Sequence, residues 1–479
     1  WCNSGAGKFR QLAGDKADRP KYQARFNALS AAIGPRGEAS RGKAALRARD
    51  FVTAERHFQN ALELVAATAP IEPLGPPPSN PKNRIGKYLY LPVEVAVREL
   101  PSRAKLAADC ARLGFDVVLG ATWNMADYKW RDWPPGIVLF KTMNAMDAAQ
   151  FHKAKALAGH QVAVLSEELY SLLPERWLYE AEIEPQALVL ADLICAQGES
   201  SAALLRAMAP SKVQVTGNPR ARSISREIPK DGKILVCMVS GTVNSFVPFD
   251  EYMRLTFRVF GKAPEGDILR LMREQVTHEC HWLPLLLDTA AALKDKYGDR
   301  VMVRPHPVED KETFGFAADQ MPLQQRLGDA ACVVFISGCG TGVDAVLAGI
   351  PSVRLGYGGH GLSATFGDAC ETVESALAGV ENCLDGRYTP PPLDAHFAPV
   401  TLPAALNGLW RRNAFDMEFD LAHAYREQRK HGYVPGEFER NKFGEYTDED
   451  VAAMAGLPVE RLGWGLWLVR KTAPILSLV

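Results

Sequence analysis

No apolar run in this 479-residue chain approaches the roughly 18 residues that a membrane-spanning helix requires, so no transmembrane segment is expected. The first residues also lack the basic-then-apolar layout of a secretion leader. The nine cysteines are scattered singly, at 2, 110, 195, 237, 280, 332, 339, 370 and 383. With no CxxC pair and no Cys/His grouping at zinc spacing, a disulfide framework and a structural zinc site are both excluded, and a reducing cytoplasm fits. An excess of charge of either sign is missing too: 55 Lys and Arg stand against 56 Asp and Glu. Without a global field to attract nucleic acid or an anionic bilayer, any anion binding must be local. No metal is expected either.

Hydrophobic residues make up 47% and charged residues 23%, the balance of a packed globular protein, and the length predicts two or three domains. Residues 38–67 place Ala45, Phe51, Ala54, Phe58, Ala61 and Leu62 at helical spacing on a hairpin centred on Arg49-Asp50, a pattern that resembles one tetratricopeptide unit. A single unit cannot bury its own face. It is therefore expected to dock on the body or to belong to a longer array upstream, and it offers a surface for a protein partner. The Pro-rich stretch 70–81 separates it from a series of short β-rich runs alternating with helical stretches, KYLYLPV, FDVVLG, GIVLFK, QVAVLS, ADLICAQG and KVQVTG. A second series, KILVCMVSG, RVMVRPHP, ACVVFISG and PSVRLG, begins at Lys233. Such alternation predicts two α/β units with a ligand cleft between them. The expected organisation is a helical segment over 1–80, a first Rossmann-like unit over 81–222, a second over 223–400, and a helical extension over 401–479. That extension ends in RLGWGLWLVRK. Its composition suits a closing helix over the first unit, or peripheral contact with the inner membrane surface.

Two stretches carry chemistry. Residues 332–355, CVVFISGCGTGVDAVLAGIPSVRL, spell strand, Gly-rich turn, helix and second strand. Gly338, Gly340 and Gly342 let a backbone approach a ligand, while Ser337 and Thr341 offer hydroxyls at a helix start, which makes an anion cradle. Val343 breaks the dinucleotide fingerprint, and the lysine of a phosphate loop is missing, so a tight strand–helix joint is the alternative. Arg304-Pro305-His306-Pro307 closes the strand Val301–Val303 and holds His306 at the carboxyl edge of the sheet. A structural histidine is the alternative there.

The order of VTGNPR (215–220), ILVCMVSG (234–241), VRPHP (303–307) and ISGCGTGVDAVLAGIPSV (336–353) resembles the bacterial surface-carbohydrate biosynthesis proteins. These are GT-B glycosyltransferases related to transferases of CMP-activated acidic sugars such as nonulosonates, sialic acid and Kdo. The resemblance spans residues 86–400. It implies a metal-independent, inverting enzyme with a CMP-sugar as donor substrate, no separate cofactor, and a surface glycan or a protein such as flagellin as acceptor. It also implies that His306 and Pro307 bind the donor phosphate, with Arg304 beside them, and that Ser337 and Thr341 receive the phosphate or the sugar carboxylate. A family acid of Asp-Glu-Glu-Gly type corresponds to Ser166-Glu167-Glu168-Leu169, so Glu167 or Glu168 is the expected base, with Glu94 the competing acid. Arg98 and Glu99 would orient the acceptor or the sugar carboxylate; an internal ion pair is the plainer alternative. Thr216-Gly217-Asn218-Pro219 is read as an interdomain hinge with Asn218 and Arg220 near the donor, or as a plain turn. Ser166, Leu169 and Ile336 depart from the family pattern. Three rivals follow: a CDP-polyol phosphotransferase, a sugar-nucleotide 2-epimerase, and a non-catalytic binding protein.

Overall fold

A computed structural model describes residues 34–68, 85–221, 231–262, 264–306, 308–310, 312–315, 323–414 and 443–472, with a few single positions between. The hairpin predicted at the N-terminus consists of α1 (Pro35–Arg47) and α2 (Phe51–Ala66), the second capped by Asp50, which accepts from Thr53 N at 3.1 Å. Its apolar face is not left open. Phe58, Leu62 and Val65 are fully buried in one core with the second α/β unit, answering how a lone unit covers its face.

The first unit runs β1 (Tyr88–Val93), α3 (Ala96–Arg112), β2 (Asp116–Ala121), β3 (Ile137–Phe140), α4 (Ala145–Ala158), β4 (Gln161–Leu165), α5 (Arg176–Glu182), α6 (Pro185–Leu190), β5 (Leu193–Ala196), α7 (Glu199–Met208) and β6 (Val213–Val215). The second runs β7 (Lys233–Cys237), α8 (Phe249–Phe260), α9 (Gly266–Tyr297), β8 (Val301–Arg304), α10 (Leu323–Asp329), β9 (Ala330–Ile336), α11 (Gly340–Leu347), β10 (Ser352–Leu355), β11 (Ala369–Cys370) and α12 (Val373–Leu384). After it come α13 (Leu402–Asn413), α14 (Asp448–Ala455), β12 (Glu460–Gly463) and β13 (Leu466–Val469). The first sheet has the order β12-β13-β2-β1-β3-β4-β5-β6 and the second β11-β10-β9-β7-β8. Strands β1 to β6 pair in parallel, as do all five of the second sheet. Helices cover both faces, which is why the central strands read as unbroken apolar runs rather than alternating ones. The architecture is two Rossmann-like α/β units with a helical N-terminal hairpin.

The tail corrects the helical reading of its last part. Residues 460–469 form a β-hairpin whose inner strand β13 pairs antiparallel with β2. Gly120 makes this possible: a Cβ there would lie 2.1 Å from Gly465 O, so only glycine lets the strands meet. Leu466, Trp467, Leu468 and Val469 are fully buried, because α3 and α14 cover one face and the aromatic cluster around Trp130 the other. The apolar residues that suggested a membrane contact are thus spent on the sheet edge. Among the described residues no helix is long and apolar enough to cross a membrane.

Candidate functional site: the cleft between the two sheets

The carboxyl ends of β7, β8 and β9 share one edge of the second sheet. Because β8 and β9 flank β7, the His306 and Ser337 loops are separated by two strand spacings, about 10 Å. His306 is exposed toward the cleft. Its backbone N–H donates to Glu309 Oε2 at 2.7 Å, and its Nδ1 accepts from Val308 N at 3.5 Å, which leaves the ring proton on Nε2. The surrounding walls push its pKa down to about 4; Arg98 and Arg304 act in the same direction, and Glu168 opposes them. The imidazole is therefore neutral at pH 7. Pro307 lies outside the described residues.

The Gly-rich turn is packed more tightly than its sequence suggested. Ser337 is almost fully buried, and its Oγ donates to Gly358 O at 2.7 Å while its carbonyl accepts from His278 Nε2 at 2.8 Å. Gly338, at φ +87°, lies against Gly359 and Gly361, where a Cβ on Gly361 would fall 1.9 Å from Gly338 O. Gly342 rests on the Phe335 ring, and Gly340 faces Ser171 of the first unit. Thr341 is half-buried, its hydroxyl beside the Cys339 thiol. One helical turn on, Asp344 accepts from Arg220 Nε at 3.0 Å and Nη2 at 2.5 Å and from the Tyr170 hydroxyl at 3.0 Å. The amides after β7 are likewise engaged internally. Ser240 N donates to Glu309, and Thr242 N and Val243 N each donate to Glu279 Oε2 at 3.0 Å.

Across the cleft, the carboxyl edge of the first sheet gathers a charged cluster. Glu99 is fully buried; its Oε1 accepts from Arg98 Nη2 at 3.0 Å and Lys141 Nζ at 3.2 Å, its Oε2 from Glu94 N at 2.8 Å. Burial opposes its charge, but Lys141 and then Arg98 outweigh it and hold the pKa at about 2. Lys141 also pairs with Glu94 at 2.5 Å and lies 4.0 Å from Glu168, which is 3.5 Å from Arg98. Glu168 is 40% exposed. Its neighbour Glu167 points the other way, almost fully buried between Arg103 at 3.6 Å and Arg220 at 3.9 Å. The chain bends at these two positions just beyond β4, which turns Glu167 into the packing and Glu168 toward the cleft. Asn218 is buried too, its Oδ1 accepting from Arg220 N at 2.9 Å.

Glu168 lies within electrostatic reach of both units. Its charge bears on Arg98, Lys141 and Glu182 of the first unit and on Tyr252 and His306 of the second. Glu182, half-buried at the end of α5, is pushed by burial and then by Glu168 up to about 8, against Lys262. The cleft thus gathers the open carboxylate of Glu168, the cations Arg98, Lys141 and Arg304, and a neutral imidazole, with the raised carboxyl of Glu182 nearby. Of the residues selected from sequence, it brings together Glu94, Arg98, Glu99, Glu168, Arg304 and His306. Glu167, Asn218 and Ser337 lie in the packing behind it. Lys141, Glu182 and Tyr252 were not singled out from sequence. Lys141 carries the signal that marked Glu94, a charge directly after an apolar strand. Among the described residues no group of His, Cys, Asp and Glu is placed to hold a metal ion.

No family model and no curated protein matches this sequence. Among solved structures, a Listeria monocytogenes protein assigned as a UDP-N-acetylglucosamine 2-epimerase is 11% identical, with a TM-score of 0.39, covering 65% of this chain and 93% of its own. The UDP complex of MnaA from S. aureus is 11% identical with a TM-score of 0.36, covering 65% and 90%. The lipopolysaccharide outer core galactosyltransferase WaaB is 9% identical with a TM-score of 0.27, covering 71% and 97%. Similarity at this level says nothing about chemistry, which rests on the residues of the cleft.

Proposed function

We propose that this protein is a glycosyltransferase of the GT-B class, inverting and metal-independent, which takes a nonulosonic acid from a CMP donor to a surface glycan or a protein acceptor such as flagellin. One observation carries the reading: Glu168, an open carboxylate of the first unit, stands beside Arg98 and Lys141 and within electrostatic reach of His306 of the second. In the proposed reaction the acceptor oxygen attacks the anomeric carbon and its proton passes to Glu168. The bond from that carbon to the phosphate oxygen breaks, and the electron pair leaves with the nucleotide. His306 Nε2–H and the Arg98 guanidinium would stabilise the departing phosphate, Arg304 adding charge, so that no metal is required. The first-turn N–H groups of α11, at Gly340 and Thr341, would serve the sugar carboxylate.

Thermal shift with CMP, CDP, UDP and GDP tests the donor assignment, since a ligand of the native state raises the melting temperature. CMP alone should stabilise the protein, and His306→Ala should lose that shift while keeping its circular dichroism. Glu168→Gln should keep the shift and lose transfer. A wild-type protein indifferent to all four nucleotides, or an unchanged response in His306→Ala, refutes the reading.

A second reading, a non-catalytic binding protein, is favoured by one group of contacts. The hydroxyl of Ser337, the carboxylate of Asp344 and the amides of Ser240, Thr242 and Val243 are all engaged by the protein itself. Nucleotide binding without transfer to any offered acceptor would establish it. A transferred phosphodiester, detected by product mass, would instead identify a CDP-polyol phosphotransferase.

A further inference from the structure

The helical hairpin at the N-terminus does more than cover a face of the second unit. Its inner side is apolar, with Phe58 against Phe249 at a ring separation of 5.2 Å. Along one edge, however, polar side chains reach past α8 to two loops. Arg36 Nε lies 3.1 Å from Asp250, Lys43 Nζ donates to Ser245 O, and Arg47 lies 3.8 Å from Asp310. Ser245 and Asp310 belong to the loops that follow β7 and β8, and the two loops are zipped together. Ser245 and Glu309 form an antiparallel bridge, Phe246 N donates to Val308 O at 2.9 Å, Asp310 N to Asn244 O at 2.7 Å, and Asn244 Nδ2 to Asp310 O at 3.1 Å. Glu309, fully enclosed, takes the His306 N–H at 2.7 Å and the Ser240 hydroxyl at 2.6 Å.

The route from the Lys43 ammonium to the His306 backbone runs through Ser245, whose bridge partner Glu309 is held opposite it by the Phe246–Val308 and Asp310–Asn244 hydrogen bonds, and from Glu309 to the His306 N–H. We infer that the N-terminal hairpin is a brace for the His306 loop and that Lys43 is its positioning residue, holding the imidazole at the depth in the cleft where it faces Arg98, Arg304 and Glu168. Lys43 suits the task because its stem is half-buried against the hairpin while its head reaches a carbonyl that no neighbouring backbone group takes up in the bridge. The opposite edge of the hairpin is tied down by Arg49 to Asp288 at 2.8 Å and by Arg273 to Glu63, contacts that lead nowhere near the cleft. Docking and bracing can thus be separated by mutation.

The test follows the imidazole by NMR through its Cε1–H resonance. In the wild-type protein the His306 midpoint should lie well below the ordinary 6.5, held down by desolvation of the ring within the cleft and by Arg98 and Arg304. In Lys43→Met the loop should draw away from Arg98 and Arg304, and the midpoint should rise by about one unit or more toward the ordinary value of 6.5. Lys43→Arg should restore the wild-type midpoint, and Arg49→Ala should leave it unchanged. Amide exchange at His306 in the milder Lys43→Gln should accelerate about tenfold. An unchanged midpoint in folded Lys43→Met, or unchanged exchange in Lys43→Gln, overturns the brace. Its catalytic meaning rests on the donor role proposed for His306, but the titration does not. A shifted midpoint with unaltered CMP affinity would keep the brace and remove the donor role.

Discussion

Replacing Glu99 by glutamine removes the one fully buried anion that Arg98 and Lys141 share. The carboxylate is fully enclosed, with Arg98 and Lys141 within 3.2 Å and the Glu94 amide at 2.8 Å. Its folded pKa of about 2, against an ordinary 4.5, corresponds to roughly 3 kcal/mol of pairing. The sign is fixed by the direction of the shift. A depressed carboxyl pKa contributes stability that is fully present above pH 4.5 and fades as the pH falls toward 2. Glutamine keeps the shape but leaves Lys141 and Arg98 short of a counter-charge, a change that typically costs about 3–5 kcal/mol in an interior. For a unit of some 200 residues this amounts to a fall in melting temperature of roughly 6–20 °C at pH 7. Calorimetry of wild type and Glu99→Gln at pH 7, 5 and 3 would measure it, and the gap should narrow at pH 3. A variant melting within about 2 °C of wild type at pH 7, or a gap independent of pH, would refute the claim that this cluster is held by its charges.

Two further outcomes are expected. Glu182, raised to about 8, contributes stability that is complete below pH 4.5 and is lost as the pH climbs through 8. Glu182→Gln should therefore melt with the wild type at pH 5 and above it at pH 9; a constant difference across that range would place Glu182 in an ordinary solvated setting. Trp467→Ala should cost about 3–5 kcal/mol in denaturant unfolding, through the lost ring and its 2.8 Å bond to Asp448, with no change in vesicle co-sedimentation. Unchanged stability with lost vesicle binding would return the tail to the membrane surface.

Much of the fold could be read directly. KYLYLPV, QVAVLS, ADLICAQG and ACVVFISG became central parallel strands because a segment buried on both faces must be apolar throughout. The final segment was misread because RLGWGLWLV is apolar without a period that separates helix from strand. Its conformation is decided by β2, to which it adds, and by Gly120, which has no Cβ to obstruct it. In the cleft, the charged residues that follow apolar strands were visible as a pattern, whereas their pairing was not. Glu167 and Glu168 are chemically identical neighbours; the direction of the backbone after β4 sends one to Arg103 and the other to the cleft. The Gly-rich turn shows the converse. Its glycines suit a ligand or a close backbone neighbour equally well, and here Gly361 and Phe335 occupy the space.

What this sequence determined by itself is local: the alternation of strand and helix, the caps, and the placement of charges at strand ends. Those features depend on residues a few positions apart. Tertiary structure alone decided which of those charges share a cleft, which are sealed behind it, and what the first hairpin and the last one hold in place. Such decisions turn on distances between residues up to some 350 positions apart, as between Lys471 and Asp116, and no local pattern encodes them.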